Sequence, residues 1–241
     1  PAANDVLVCS YFKSGTNWTM QIAVQIAYRG RAEFEHIHDL VPWPELSPRA
    51  RYALPLAEDR PRRACPTGFR VVKTHLALET AVPYSPEARY IAVVRDPKDV
   101  FVSGYHFLRA VVMGPLMPSV GDWLDIYVSP DTPLGSWAEH AASYWRARER
   151  ANVLFLTYES MRADLPGTVD KIAAFMGVAL TVDERASVIE RSTFEYMKAT
   201  QTKIEPQGAP WARPQGAMVR RGERGASSEL LTAEQQRRID A

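Results

Sequence analysis

Lysine is scarce in this chain, six residues against 23 arginines, and two of the six stand where they could do chemistry. Lys13 opens the run Lys13, Ser14, Gly15, Thr16, Asn17, Trp18, directly after an apolar stretch. A lysine, two hydroxyls and an amide around one glycine, at the start of a helix, surround an empty spot with donors and positive charge, which is an anion cradle. Lys73 precedes Thr74 and His75. There an ammonium that can stabilise negative charge sits next to the side chain best suited to take a proton near neutral pH. Arg95 follows another apolar run, and Arg220, Arg221, Gly222 and Gly225 form a basic turn of the kind that brings guanidinium forks and backbone N–H groups to a phosphate.

The cradle is not the common nucleoside-triphosphate loop, in which the lysine follows the second glycine; here Lys13 precedes Gly15. Read alone, the motif is better taken as a capped helix start behind a core strand. The elements around it change that reading. Short apolar runs at 6–9, 69–72, 90–94 and 153–156 read as buried strands, and helical segments separate them. Trp18, Ile22 and Ile26 share one face of the first helix. Asp96 is an N-cap and Pro97 a first helical residue, predicting a helix over 97–107.

Further helical stretches are expected at 119–128, 136–150 and 168–176, the second with a core stripe of Trp137, Ala141 and Tyr144 and with Trp145 beside it. Strands alternating with helices predict a single α/β domain over 1–241, with a central parallel sheet flanked by helices. Parallel sheets bind ligands at the carboxyl ends of their strands. Lys13, Lys73, His75, Arg95 and Tyr158 all follow strand ends, so one sheet edge should gather them. The proline- and arginine-rich stretch 34–66 reads as loops that could line a pocket wall, and His36 and His38 within it have no Cys, Asp or Glu at ligand spacing that would make a metal site. The stretch 200–225, rich in Pro and Gly, reads as a long loop and lid.

Composition bounds the partners. A 46% hydrophobic, 24% charged chain with net charge +1 is ordinary for a globular protein and offers no global field for nucleic acid or an anionic membrane. No apolar run approaches the ~18 residues of a membrane span, so no membrane insertion is expected. Two cysteines, Cys9 and Cys65, argue against a disulfide framework or a zinc site and fit a reducing, cytoplasmic setting. Pro1 in place of methionine is read as processing or trimming.

Taken together and in order, these segments resemble the soluble, cytosolic-type sulfotransferases that use 3'-phosphoadenosine 5'-phosphosulfate (PAPS). The run 11–18 looks like that family's 5'-phosphosulfate loop, and Lys73, Thr74, His75 and Leu76 look like its catalytic segment. The run 90–107, with Arg95, Pro97, Lys98, Asp99, Ser103, Tyr105 and His106, is similar to its 3'-phosphate region. Gly135, Ser136, Trp137, Glu139 and His140, the run 153–161, Ser192, Thr193, Phe194, Met197 and Lys198, and the basic turn at 220–225 complete the series.

The resemblance implies PAPS as co-substrate, no metal, and transfer of a sulfuryl group to a hydroxyl of a small-molecule acceptor. It implies roles for Lys13 and Lys73 on the developing charge and for His75 as general base. Ser14, Gly15, Thr16 and Asn17 would join Lys13 around the 5'-phosphate. Arg95, Ser103, Arg220, Arg221 and Gly222 would hold the 3'-phosphate, with Ser103 also contacting Lys13. Trp18 and Phe194 would sandwich the adenine, with Tyr158 and Thr193 at its edge. His106 reads as structural or a pocket residue, and His140 as either a pocket residue or part of a packed helix.

Two alternatives stand beside this reading. One is a nucleotide-dependent kinase, which would need a lysine after a second loop glycine and magnesium-holding acids. The other is a non-catalytic nucleotide-binding protein, for which a base beside Lys73 would be superfluous. The chain also departs from the family pattern: Ala226, Ser227 and Ser228 follow Gly225 where Asp, Trp and Lys are frequent, and Ser228 and Arg237 stand in the stretch associated with dimerisation where a lysine and a glutamate are expected. The family's dimer is therefore not expected, and acceptor and oligomeric state stay open.

Overall fold

Four short apolar runs become four parallel strands. The computed structural model describes residues 1–129, 132, 135–206 and 226–241. The strands are β1 (Asp5–Ser10), β2 (Arg70–Thr74), β3 (Arg89–Val94) and β4 (Val153–Thr157), paired in the order β2-β1-β3-β4. Helix α1 (Thr16–Ala27) follows β1, and the short α2 (Arg60–Ala64) precedes β2. Between β3 and β4 lie α3 (Pro97–Leu108), α4 (Val120–Val128) and α5 (Trp137–Ala147). After β4 come α6 (Tyr158–Ala163), α7 (Leu165–Met176), α8 (Val182–Glu190), α9 (Phe194–Ala199) and α10 (Ala233–Asp240).

Every side chain of β1 is buried, as a central strand covered on both faces requires. Val6 and Val8 point to the face covered by α1 and α7, where Ile22, Ile26, Ile172 and Met176 are fully buried. Leu7 and Cys9 point to the opposite face, against Tyr90, Tyr144 and Ala147. Burial of each large aliphatic side chain contributes roughly 1.5–3 kcal/mol, so α1 is anchored by its packing. The Arg70 guanidinium donates two bonds of 2.9 Å to the buried Asp5 carboxylate, tying the starts of β1 and β2 together.

The pairing register levels the other ends. Cys9 is opposite both Thr74 and Ala92, Ser10 opposite Val93, and Val94 opposite Thr157. The residues one step beyond, Tyr11, His75, Arg95 and Tyr158, therefore leave the sheet at one edge. Since β2 lies on one side of β1 and β3 on the other, the chain direction switches at β1, where a crevice opens in such sheets.

Several boundaries differ from expectation. Lys73 and Thr74 belong to β2 itself, and only His75 lies past it. Helix α5 starts after the Ser136 cap but ends at Ala147, and Trp145 is 52% exposed beneath the Arg148 guanidinium, not part of the stripe that buries Tyr144. Helix α7 starts at Leu165 because the Asp164 carboxylate caps the Gly167 N–H and Pro166 fits the first turn. Among the described residues no single helix is long and apolar enough to cross a membrane.

A candidate active site at the strand ends

The cradle after β1 is shaped by two left-handed residues. Lys13 has φ 66° and Gly15 φ 101°, with the Ser14 N–H donating to the Tyr11 carbonyl across the turn. A Cβ at Gly15 would stand 2.8 Å from Tyr158 Cδ2, so both the backbone angle and the neighbouring ring demand glycine. Helices α3, α4, α5, α6, α7, α8, α9 and α10 are each capped by a side chain, whereas α1 begins at Gly15 with none and carries no acid in its first turn. Its first N–H groups thus keep their hydrogen-bonding capacity and the positive end of the helix dipole. The Ser14 hydroxyl is buried with no hydrogen-bond partner, an arrangement that costs about 1–3 kcal/mol unless a ligand answers it. Thr16 instead pairs with Ser10, Oγ1 to Oγ 2.6 Å.

Three cations surround this turn. Lys13 Nζ lies 4.1 Å from the centre of the Phe107 ring on α3. Phe12 packs so closely on α3 that a Cβ at Gly104 would be 2.9 Å from its ring. Ser103, one turn before Phe107, shares the α3 face toward Lys13. Arg95 donates to the Lys13 carbonyl at 3.4 Å, pairs with Asp99 at 3.6 Å and lies 4.5 Å over the Tyr158 ring. Lys73 Nζ lies 3.4 Å from the centre of the Trp43 indole. Burial lowers Lys13 to about 7, with the Arg95 charge adding to it. Lys73 is likewise lowered to about 7 by burial, against the opposing pull of Glu45. Burial thus disfavours the charged form of both lysines, and the charge of an anionic ligand would restore it.

His75 is buried and directional. Its Nδ1 is 2.8 Å from the Ser10 carbonyl oxygen, which can only accept, so Nδ1 carries the proton and Nε2 the lone pair. Burial, and then the Lys73 charge, hold its basicity well below the ordinary histidine value, so the ring is neutral at pH 7. Its backbone N–H donates to Glu45 Oε2 at 3.0 Å, and the same oxygen accepts from Trp43 Nε1 at 2.6 Å. Glu45 joins the candidate site without a motif: a glutamate in a proline-rich loop carries no pattern, and its partner His75 lies across the fold.

The aromatic end of the site is assembled by α1, α6 and α9. The Trp18 and Tyr158 rings meet edge to face at 5.7 Å. Trp18 Nε1 donates 2.7 Å to the Ser192 carbonyl, which brings the start of α9 to the start of α1. Thr193 is the N-cap of α9: its hydroxyl accepts from Tyr196 N and donates to Glu190 O. Phe194 opens that helix, with Lys198 Nζ 5.9 Å from its ring centre. Asn17 is half-buried in the first turn of α1. Arg220, Arg221, Gly222 and Gly225, and residues 207–225 of the lid expected over 200–225, lie outside the described residues, while Gln201–Lys203 form a short 3-10 turn.

His36 and His38 are buried within the 34–66 stretch. His36 stacks on Tyr52 at 3.6 Å, and His38 lies 5.7 Å from Trp43. Among the described residues no group of three or more His, Cys, Asp or Glu is placed to hold a metal ion. His140 is buried on α5 against Tyr11 and Tyr144, with neither ring nitrogen bonded, and burial lowers it to about 4.

An uncapped helix start, two buried lysines and a neutral imidazole lie along one edge of a parallel sheet in this α/β protein, an arrangement that can receive a phosphate-like anion. The chain belongs to the sulfotransferase domain family, whose model matches residues 3–241. It is 31% identical to sulfotransferase 1C2 of Rattus norvegicus over 206 residues, 81% of this chain and 66% of that protein. It is 32% identical to sulfotransferase 2A6 of Rattus norvegicus over 199 residues, 80% of this chain and 66% of that protein. The chain thus spans just under two thirds of these curated relatives.

The fold is that of a crystal structure of mouse sulfotransferase SULT7A1 complexed with PAP, with TM-score 0.71 and 24% identity over 98% of this chain and 81% of that one. It is also that of retinol dehydratase in complex with androsterone and inactive cofactor PAP, with TM-score 0.75 and 23% identity over 100% of this chain and 80% of that one.

Proposed function

We propose that this protein transfers the sulfuryl group of PAPS to a hydroxyl of a small-molecule acceptor. The observation that carries the reading is His75: a buried neutral imidazole whose Nε2 is left free by the Nδ1 bond to Ser10, next to Lys73 and on the same sheet edge as the α1 cradle. Family membership and the PAP named with two fold neighbours support it.

The residues present fit the donor. The unpartnered Ser14 hydroxyl, the uncapped N–H groups of α1 and Lys13 suit its 5'-phosphate, with Gly15, Thr16 and Asn17 shaping the turn. Arg95 and Ser103, on the adjoining side of Lys13, suit its 3'-phosphate. Trp18, Tyr158 and Phe194 offer ring faces for adenine. Thr193 serves that end of the site mainly by capping α9.

Bound PAPS supplies an electrophilic sulfuryl group whose departure leaves its electron pair on the 5'-phosphate. His75 Nε2 takes the proton of the acceptor hydroxyl as the oxygen bonds to sulfur. Lys73 holds charge on the sulfuryl oxygens, and Lys13 stabilises the charge that collects on the leaving oxygen. The segments 34–66, 76–86 and 105–118 are the candidates for the acceptor wall. The buried free thiols, Cys9 and Cys65, support a reducing, cytoplasmic setting.

The test is to incubate the protein with PAPS and a panel of phenols and alcohols, following sulfated product and 3'-phosphoadenosine 5'-phosphate together. Equal amounts of both are expected for at least one acceptor class. Phosphorylated product from ATP under the same conditions would overturn the reading.

A further inference from the structure

A single carboxylate oxygen joins the wall of the site to its base. Glu45 Oε2 accepts the Trp43 indole N–H at 2.6 Å and the His75 peptide N–H at 3.0 Å. Trp43 covers Lys73 Nζ at 3.4 Å with its face and meets the His75 ring edge to face at 5.5 Å. The segment carrying Glu45 is fastened independently: the Lys73 N–H donates to Pro42 O at 2.9 Å, and His38 Nδ1 donates to Val41 O at 2.8 Å. With both donors on one oxygen, a displacement of Glu45 moves the indole over Lys73 and the backbone of His75 together.

We propose that Glu45 is a positioning residue for the transfer, setting Trp43 and His75 against Lys73 and placing a carboxylate on the side of the site that its indole cover occupies. This rests on the sulfuryl-transfer reading for its catalytic consequence, but its geometric and charge content can be tested without turnover. The groups that feel Lys73 are Glu45 from the wall segment, Lys13 from the cradle, His75 after β2, and His36 and His38 from the wall. Glu45 alone among them opposes its charge. Both groups meet the Trp43 indole, Glu45 at its N–H and Lys73 at its face, and a nearby opposite charge favours the charged form of a basic group, by about one pH unit or more at close approach.

Three variants separate bonds from charge. Glu45→Gln keeps an oxygen that both donors can use and removes the charge. Glu45→Ala removes both, and Glu45→Asp keeps the charge on a shorter arm. In Glu45→Gln without donor, heteronuclear NMR of the lysine side chains, of which there are only six, should show Lys73 titrating about one pH unit lower than in the parent protein. In turnover, Glu45→Ala should lose on the order of tenfold to a hundredfold in kcat, with 3'-phosphoadenosine 5'-phosphate binding within about twofold of the parent, and Glu45→Gln should recover part of that kcat while its alkaline limb moves to lower pH.

A Lys73 titration unmoved by Glu45→Gln overturns the charge assignment. Activity lost by Glu45→Ala only in proportion to folded protein, with no change in pH profile, overturns the positioning role. A parent protein that transfers nothing contradicts the sulfuryl-transfer reading instead, and the Lys73 titration still decides for or against Glu45.

Discussion

The imidazole of His75 donates from Nδ1 to the Ser10 carbonyl at 2.8 Å, so the last residue of the central strand selects the tautomer of the histidine that follows its neighbour. Because Cys9 and Thr74 are in register, the bond is short in space though 65 residues apart in sequence. It leaves Nε2 as the only basic atom of the ring, and burial beside Lys73 keeps that atom unprotonated at neutral pH.

Replacing His75 by Ala should therefore lower kcat by about 10²–10⁴, the usual contribution of a general base, while binding of 3'-phosphoadenosine 5'-phosphate stays nearly intact. Since the histidine's basicity is held well below its ordinary value, kcat/KM of the parent protein should stay flat on the acid side past pH 6.5. Unchanged turnover in His75→Ala, measured with saturating PAPS, would remove the base from this account.

Lys13 and Lys73 titrate near 7 in the empty protein. Phosphate charge favours their protonated forms, so nucleotide binding at pH 8 should take up protons, and affinity should fall as pH rises from 7 toward 10.5. Calorimetry in two buffers of different ionisation enthalpy reads this uptake. For the empty protein the sign is opposite: between about 7 and the ordinary lysine value near 10.5 the unfolded chain binds more protons than the folded one, so these two residues make stability rise with pH across that window. A binding enthalpy independent of buffer would contradict the uptake, and a stability flat across that window would contradict the second statement.

Gly15→Ala places a methyl 2.8 Å from Tyr158 at a φ of 101°. The strain of such a residue is about 1–3 kcal/mol, and relief requires moving the turn that shapes the cradle. The variant should melt lower than the parent and bind 3'-phosphoadenosine 5'-phosphate at least about tenfold more weakly. Thermal denaturation with calorimetry checks both, and full retention of affinity would detach Gly15 from the anion site.

Arg95 stands between Lys13 and the Tyr158 ring, where it can meet a second phosphate. Loss of a charge-assisted bond costs about 1.5–3 kcal/mol, so Arg95→Ala should weaken 3'-phosphorylated nucleotides by about tenfold or more and their 3'-dephospho counterparts far less. Equal losses for both sets would argue for a generic role in holding the cradle.

The strands and the first turns of α3 and α5 were legible because each rests on a local rule: an apolar run between turns, or a capping side chain such as Asp96 or Ser136. The gathering of Lys13, Lys73, His75, Arg95 and Tyr158 at one edge followed from parallel pairing. What could not be read depends on contacts between distant segments or on backbone atoms. The Ser10 carbonyl has no signature in a side-chain pattern, and Glu45 reaches its partner His75 across 30 residues. Trp145, placed beside the stripe and not in it, is exposed under the Arg148 guanidinium, a contact that periodicity does not show. Thr193 shows a limit of motif reading, because a hydroxyl expected at a ligand also caps the helix that begins after it.

On this reading the crevice at β1 holds a nucleotide carrying phosphates at both the 3' and the 5' position. Calorimetric titration of the protein with 3'-phosphoadenosine 5'-phosphate, ADP and ATP under one set of conditions tests it most directly. 3'-Phosphoadenosine 5'-phosphate should bind tighter than ADP or ATP by about tenfold or more, the contribution of a second phosphate held by charge-assisted bonds. Equal affinities, or a preference for ATP, would contradict it.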